Sequence, residues 1–146
     1  MDHSQTEAFL WSAALTAYVA LIFYLSSRPH LQPPVTFPLW DKAAHFVEYG
    51  ILGGLAGLAA GRRVPVASRR PSPVLILAVA LFGLTVALLD ETLQRRVPGR
   101  EASLADFAAD AVGILAGLAA AQLASRAWVR RTAARDRNRK SRKAGS

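Results

Sequence analysis

Four long apolar blocks, Ala8 to Ser26, Ala43 to Ala60, Val74 to Leu89 and Leu104 to Leu123, are parted by short polar stretches. Amphipathic stripes, the mark of a helix lying on a soluble core, are replaced here by continuous apolar runs, and such runs belong in lipid. Each block approaches the roughly 20 residues needed to cross a bilayer core of about 30 Å, although the third is short and the fourth carries two carboxylates. A backbone in hydrocarbon must satisfy its own hydrogen bonds, and the blocks are far longer than barrel strands, so helices are expected. The expected fold is an all-α integral membrane bundle of about four transmembrane helices spanning residues 1–124, followed by a basic, disordered cytoplasmic tail over 125–146. The first block is expected to be a retained helix and not a cleaved signal. No Lys or Arg precedes it, Asp2 and Glu7 do, and Ser26-Ser27-Arg28 is a poor cleavage site. Gly50, Gly53, Gly54 and Gly57, with Gly113 and Gly117, recur at spacings that let neighbouring helix backbones approach.

The basic residues give an orientation. Arg62, Arg63, Arg69 and Arg70 lie between the second and third blocks, and nine more run from Arg126 through Arg130, Arg131, Arg135, Arg137, Arg139, Lys140, Arg142 and Lys143. Only Arg28, Lys42, Arg95, Arg96 and Arg100 fall on the other side. Thirteen against five places both termini in the cytoplasm. The net charge of +8 is concentrated in the tail, where it suits anionic lipid headgroups; nucleic-acid binding is not expected. With no cysteine, thiol and disulfide chemistry are excluded.

The acids carry the functional information. Seven of the ten Asp and Glu residues lie between Asp41 and Asp110, at block ends that share the non-cytoplasmic side. Asp41, His45 and Glu48 follow i, i+4, i+7 and occupy an arc of roughly 60° on a helix with about 3.6 residues per turn. Asp90 and Gln94 are four apart, with Glu91 adjacent. Asp106, Asp110, Gly113 and Gly117 place two carboxylates above a narrow face of small residues. A charge at membrane depth costs about 2.5 to 3.5 kcal/mol on insertion scales, so these groups need partners or water.

Asp41-Lys42-Ala43-Ala44-His45-Phe46-Val47-Glu48-Tyr49, then Asp90-Glu91-Thr92-Leu93-Gln94, then Pro98-Gly99-Arg100-Glu101-Ala102-Ser103-Leu104-Ala105-Asp106, together resemble the VanZ-like family. The combination DKxxHxxEY, DExxQ and PGRxxSxxDxxxDxxG, in that order, extends from Asp41 to Gly117. Where the family pattern commonly has Asn, this chain has Asp110. The resemblance implies a bacterial, multi-pass protein of the cytoplasmic (inner) membrane that acts at the cell envelope. The family's namesake is associated with low-level resistance to the glycopeptide antibiotic teicoplanin, and the resemblance implies a link of that kind without establishing resistance by this chain.

Three functions remain open on these residues. In a membrane enzyme acting on a lipid-linked or cell-wall substrate, His45 serves as general acid or base and Asp41 or Glu48 orients its ring. Arg100 then grips a phosphate or carboxylate through its planar fork. Asp90, Glu91 and Asp106 offer oxygens to a divalent cation such as Mg2+, with Gln94 adding a neutral one. In a binding or transport protein, the same residues recognise an anionic envelope lipid or a glycopeptide-related ligand, with Pro98-Gly99-Arg100 as turn and anion contact. In an anchor or assembly partner, Lys42, Arg95, Arg96 and Arg100 neutralise the acids and the cluster is architectural; an oligomer is possible, because a polar stripe on three helices can equally face a second subunit. The proline-rich first loop, with Pro29, Pro33, Pro34 and Pro38, is a candidate lid over the cluster.

Overall fold

The computed structural model describes residues 3–29, 39–62, 72–98 and 103–144. They form four helices, α1 (His3–Ser26), α2 (Trp40–Arg62), α3 (Pro73–Gln94) and α4 (Leu104–Ala144), with no strand among the described residues. Each helix contains a stretch long and apolar enough to cross a membrane, so the chain is an all-α, multi-pass membrane protein. The proline-rich loop from 30 to 38 and the Gly99-Arg100-Glu101-Ala102 segment, which carry the expected lid and the expected anion contact, lie outside the described residues.

Local chemistry sets the helix ends. Ser72 caps α3 by accepting the Leu75 amide at 3.2 Å, and Pro73 follows at the first helical position, where a missing N–H costs nothing. At the other end of α3, Arg96 N donates to Leu93 O (3.0 Å) and Val97 N to Gln94 O (2.9 Å), a tightening of the last turn before Pro98. α1 ends the same way, with Arg28 N donating to Leu25 O at 3.1 Å just before Pro29. The fourth helix departs from expectation. It continues through the basic stretch to Ala144, where a disordered tail was expected. From Leu118 to Ala144 the sequence has no Gly or Pro and is rich in Ala and Arg, which are strong helix formers. The change of polarity near Arg126 marks where the apolar run ends, not where the helix does.

Burial is inverted relative to a soluble protein. Phe9, Leu10, Leu77, Leu81, Leu88, Val112 and Leu115 point outwards, whereas Asp90, Glu91, Gln94, Asp106 and Asp110 are buried inside the bundle. Lipid explains the first set and interhelical pairing the second. Ile22, Tyr49, Leu52, Val86, Ala87 and Ile114 make the main core, and Ala56, Val79 and Leu118 continue it towards the opposite end.

α2 and α4 run parallel, in the closest helix contact of the bundle. Three glycines make that approach possible. A methyl group on Gly117 would overlap Gly50 O, one on Gly113 would overlap Phe46 O, and one on Gly53 would overlap Ile114 O. Gly50 and Gly54 are less constrained, since a methyl there would meet its nearest backbone oxygen at 3.6 and 3.7 Å. Only part of the glycine pattern is therefore obligatory. Because α2 and α4 are parallel and α1 and α3 run the other way, the end of α1, the start of α2, the end of α3 and the start of α4 meet at one end of the bundle.

Candidate functional site

Polar side chains from all four helices gather at that shared end. Ser103 begins the arrangement as the cap of α4: its Oγ accepts the Asp106 amide at 3.1 Å and donates to Asp106 Oδ2 at 2.7 Å. In an ordinary capping box the third helical residue would accept the backbone N–H of the cap residue. Here that N–H is diverted to another helix, and Ser103 N donates to Glu91 Oε1 at 2.7 Å. The cap of α4 is thereby tied to α3.

Two ion pairs join α2 to α4. The Lys42 ammonium stands 2.8 Å from Asp106 Oδ1 and also donates to Asp41. One turn deeper, His45 Nδ1 lies 2.9 Å from Asp110 Oδ1. With Asp110 ionised, Nδ1 carries the proton and donates, which leaves Nε2 as the other functional nitrogen of the ring. The glycine contacts below set this spacing: Phe46 backs onto Gly113, and Gly50 onto Gly113 and Gly117.

On α3, Gln94 Nε2 donates to Asp90 Oδ2 at 2.9 Å and reaches Ser26 Oγ of α1 at 3.4 Å. The Tyr49 hydroxyl lies beside the Asp90 carboxylate and interacts with it. Further down α1, Tyr18 Oη donates to the backbone oxygen of Glu48 at 3.0 Å. Among the described residues, four buried side-chain atoms have no hydrogen-bond partner by geometry: Tyr49 Oη, Asp90 Oδ1, Glu91 Oε2 and Asp106 Oδ1, the last of which faces the Lys42 ammonium. Their residues are at most 5% exposed.

Of the residues singled out in sequence, His45, Asp90, Glu91, Gln94 and Asp106 come together in this cluster. Glu48 is half-buried beside it, close enough to His45 to interact electrostatically. Asp41 stays at the exposed rim, paired with Lys42. Arg95 and Arg96 are exposed and form no ion pair with another described residue. The imidazole's partner is Asp110, where Asp41 or Glu48 was expected to orient it. Among the described residues, no three His, Asp or Glu side chains are grouped so as to hold a metal ion, so the expected Asp90, Glu91 and Asp106 oxygens do not form a ready ligand set.

Asp110, Tyr49, Ser103 and Ser26 were not singled out as site residues. Asp110 shares a stripe with Asp106 and Tyr49 closes the DKxxHxxEY motif, and both are usable signals. Ser103 carries a signal as the serine of PGRxxSxxD, whereas Ser26 has none beyond its position at a block end.

The family described as VanZ/LLP1 matches residues 4–125, which take in the first three helices and the membrane-crossing start of the fourth. No curated protein and no solved structure matches the chain significantly. With most of its length inside that match, and with the motifs of α2, α3 and α4 assembled at one end of the bundle, the chain belongs to the VanZ/LLP1 family.

Proposed function

We propose that the polar cluster binds the polar portion of a lipid-linked or cell-wall molecule at the outer face of the bacterial cytoplasmic membrane. The observation that supports this reading is the gathering of four buried carboxylates, in which Asp90, Glu91 and Asp106 each keep one oxygen that accepts no hydrogen bond. A cluster serving only to tie helices together is expected to satisfy its buried acceptors internally, because each bare one costs about 1–3 kcal/mol. The excess of arginine and lysine at the opposite end of the bundle supports an outward-facing site and cytoplasmic termini. Arg100, in the segment between α3 and α4, is assigned to a phosphate or carboxylate of the ligand. Asp41, exposed, and Glu48, half-buried, stand beside the cluster on α2. A link to glycopeptide susceptibility is part of this proposal and follows from the envelope ligand, not from direct action on the antibiotic.

Lipid extracted from purified wild type, Asp90→Asn and Arg100→Gln proteins and measured by mass spectrometry tests the proposal. A species enriched on the wild type and lost from both folded variants is the expected result. Identical lipid content in all three would leave the cluster an architectural one.

One observation favours catalysis as a second reading. The His45 imidazole is held by a buried carboxylate at 2.9 Å, the arrangement that fixes the tautomer of a general base. In that reading Nε2 takes a proton from the attacking group while Asp110 stabilises the imidazolium. Turnover of an envelope lipid by the wild type, abolished in His45→Gln with binding retained, would establish it.

A further inference from the structure

The basic half of α4 takes no part in the polar cluster. The apolar run of this helix ends at Leu123, yet the helix continues unbroken to Ala144. Sharp kinks arise at Pro, Gly or helical bulges, and none of these occurs between Gly117 and Ala144, so the extension keeps the line of the membrane-crossing half. At about 1.5 Å per residue, Arg126, Arg130 and Arg131 stand roughly 5–12 Å past Leu123, within reach of lipid headgroups. Arg135, Arg137, Arg139, Lys140, Arg142 and Lys143 stand roughly 18–30 Å past it. Screening at physiological salt has a length of about 8 Å, so the field of the lipid surface has decayed before it reaches this second group.

The sequence of the extension narrows the partner. Basic positions leave no sector wider than about 100° around the helix, and Arg126, Arg130, Arg131, Arg135 and Arg137 are all exposed. After Val129 the only apolar residues are alanines, and the only acid is Asp136. A protein partner needs large apolar or aromatic anchors at the centre of its contact, and a helix lying in the lipid surface needs an apolar face; this stretch offers neither. Arg131, Arg135, Arg139 and Lys143 follow at four-residue spacing, where like charges on a helix repel, so anions on several sides relieve a repulsion that the free helix carries.

We propose that the basic half of α4 docks in the major groove of duplex DNA, held by the phosphates of both groove walls. That groove is about 12 Å wide and a helix with its side chains is about 10–12 Å across, whereas the major groove of an RNA duplex is too narrow to admit one. Arginine supplies seven of the nine basic residues from Arg126 onwards, and its planar fork matches phosphate oxygens. In sequence the tail reads as disordered and settled on headgroups; the continuous rod instead carries its outer six charges away from them. The contact is made by charge and fit, not by base sequence. It is separate from the outer site and needs the cytoplasmic termini that the distribution of arginine and lysine supports.

The experiment measures, by fluorescence anisotropy, binding of a labelled DNA duplex to the full chain in nanodiscs of zwitterionic lipid, against an RNA duplex of equal length and against polyglutamate. DNA is expected to bind about tenfold more tightly than either, with log K falling against log salt at a slope of about −4 to −6. Arg135→Gln, Arg137→Gln and Arg139→Gln combined should weaken DNA binding at least tenfold and reduce that slope by about 2 to 3. Ala134→Pro, which keeps every charge but breaks the rod, should also weaken it. Equal binding of the RNA duplex or of polyglutamate would overturn the groove assignment, and unchanged DNA binding in the triple variant would overturn the site. A fluorophore on Ala144→Cys, unique because the chain has no other cysteine, should escape quenching by spin-labelled headgroups in discs containing phosphatidylglycerol. Strong quenching there would lay the rod on the lipid and overturn the proposal. These substitutions lie outside the bundle, and the comparison of polyanions needs none of them.

Discussion

α2 and α4 meet in two ways along one interface, and the two stretches obey different chemistry. Across the middle of the membrane they touch through glycines, with Gly53, Gly113 and Gly117 leaving no room for a methyl group. At the end they touch through charges, Lys42 with Asp106 and His45 with Asp110. The glycine stretch is complete in itself, a matter of shape with no unsatisfied group. The charged stretch adjoins bare acceptors and is not. One region holds two helices at a fixed separation, and the other uses that separation to place ionisable groups that lipid would otherwise reject.

This contrast can be broken most directly at Gly117. Gly117→Ala is expected to abolish the folded, monodisperse species, because the new methyl meets backbone at Gly50 and not a side chain that can move; size-exclusion chromatography in detergent would show it. Survival of Gly117→Ala with a normal elution profile would refute the glycine contact. Next in size is the deeper ion pair. Asp110→Ala leaves the His45 ring without its carboxylate and is expected to cost about 3–5 kcal/mol in a reversible unfolding titration. Asp110→Asn, whose side-chain oxygen still accepts from Nδ1–H, should cost clearly less, which sharpens the distinction between lost charge and lost hydrogen bond. Ser103→Ala removes the α4 cap and is expected to cost about 1 kcal/mol, read from the same titration. At the bottom of the scale, Gly61→Ala meets nothing within 4 Å and should stabilise the protein by about 0.5–1 kcal/mol, seen as a small rise in melting temperature. Gly61 and Gly117 belong to the same kind of residue in sequence and to opposite kinds in space.

Much of the fold was legible because the bilayer simplifies the code. An apolar run of sufficient length has one outcome, and all four runs became helices. The stripe of Asp106, Asp110, Gly113 and Gly117 was also legible as a packing face, since helix periodicity alone defines it. The identity of the His45 partner was not. Asp41 and Glu48 are its neighbours on the same helix, whereas Asp110 becomes one only through the parallel alignment of α2 with α4, and that alignment is set by which glycines touch. Tyr49 was missed for a related reason: its place beside Asp90 depends on how α3 packs against α2. Composition misled at the far end of α4, because charge density speaks to solvation while Ala and Arg speak to helix formation.

The length of α4 has a mechanical meaning. At about 1.5 Å per residue its 41 residues reach roughly 60 Å, about twice the thickness of the hydrocarbon core. One end carries Asp106 and Asp110, and the other carries the row of arginines. No glycine or proline interrupts the rod after Gly117. The same continuous helix therefore carries the two aspartates and the arginine row at its opposite ends. The helix is both a wall of the site and a shaft connected to it.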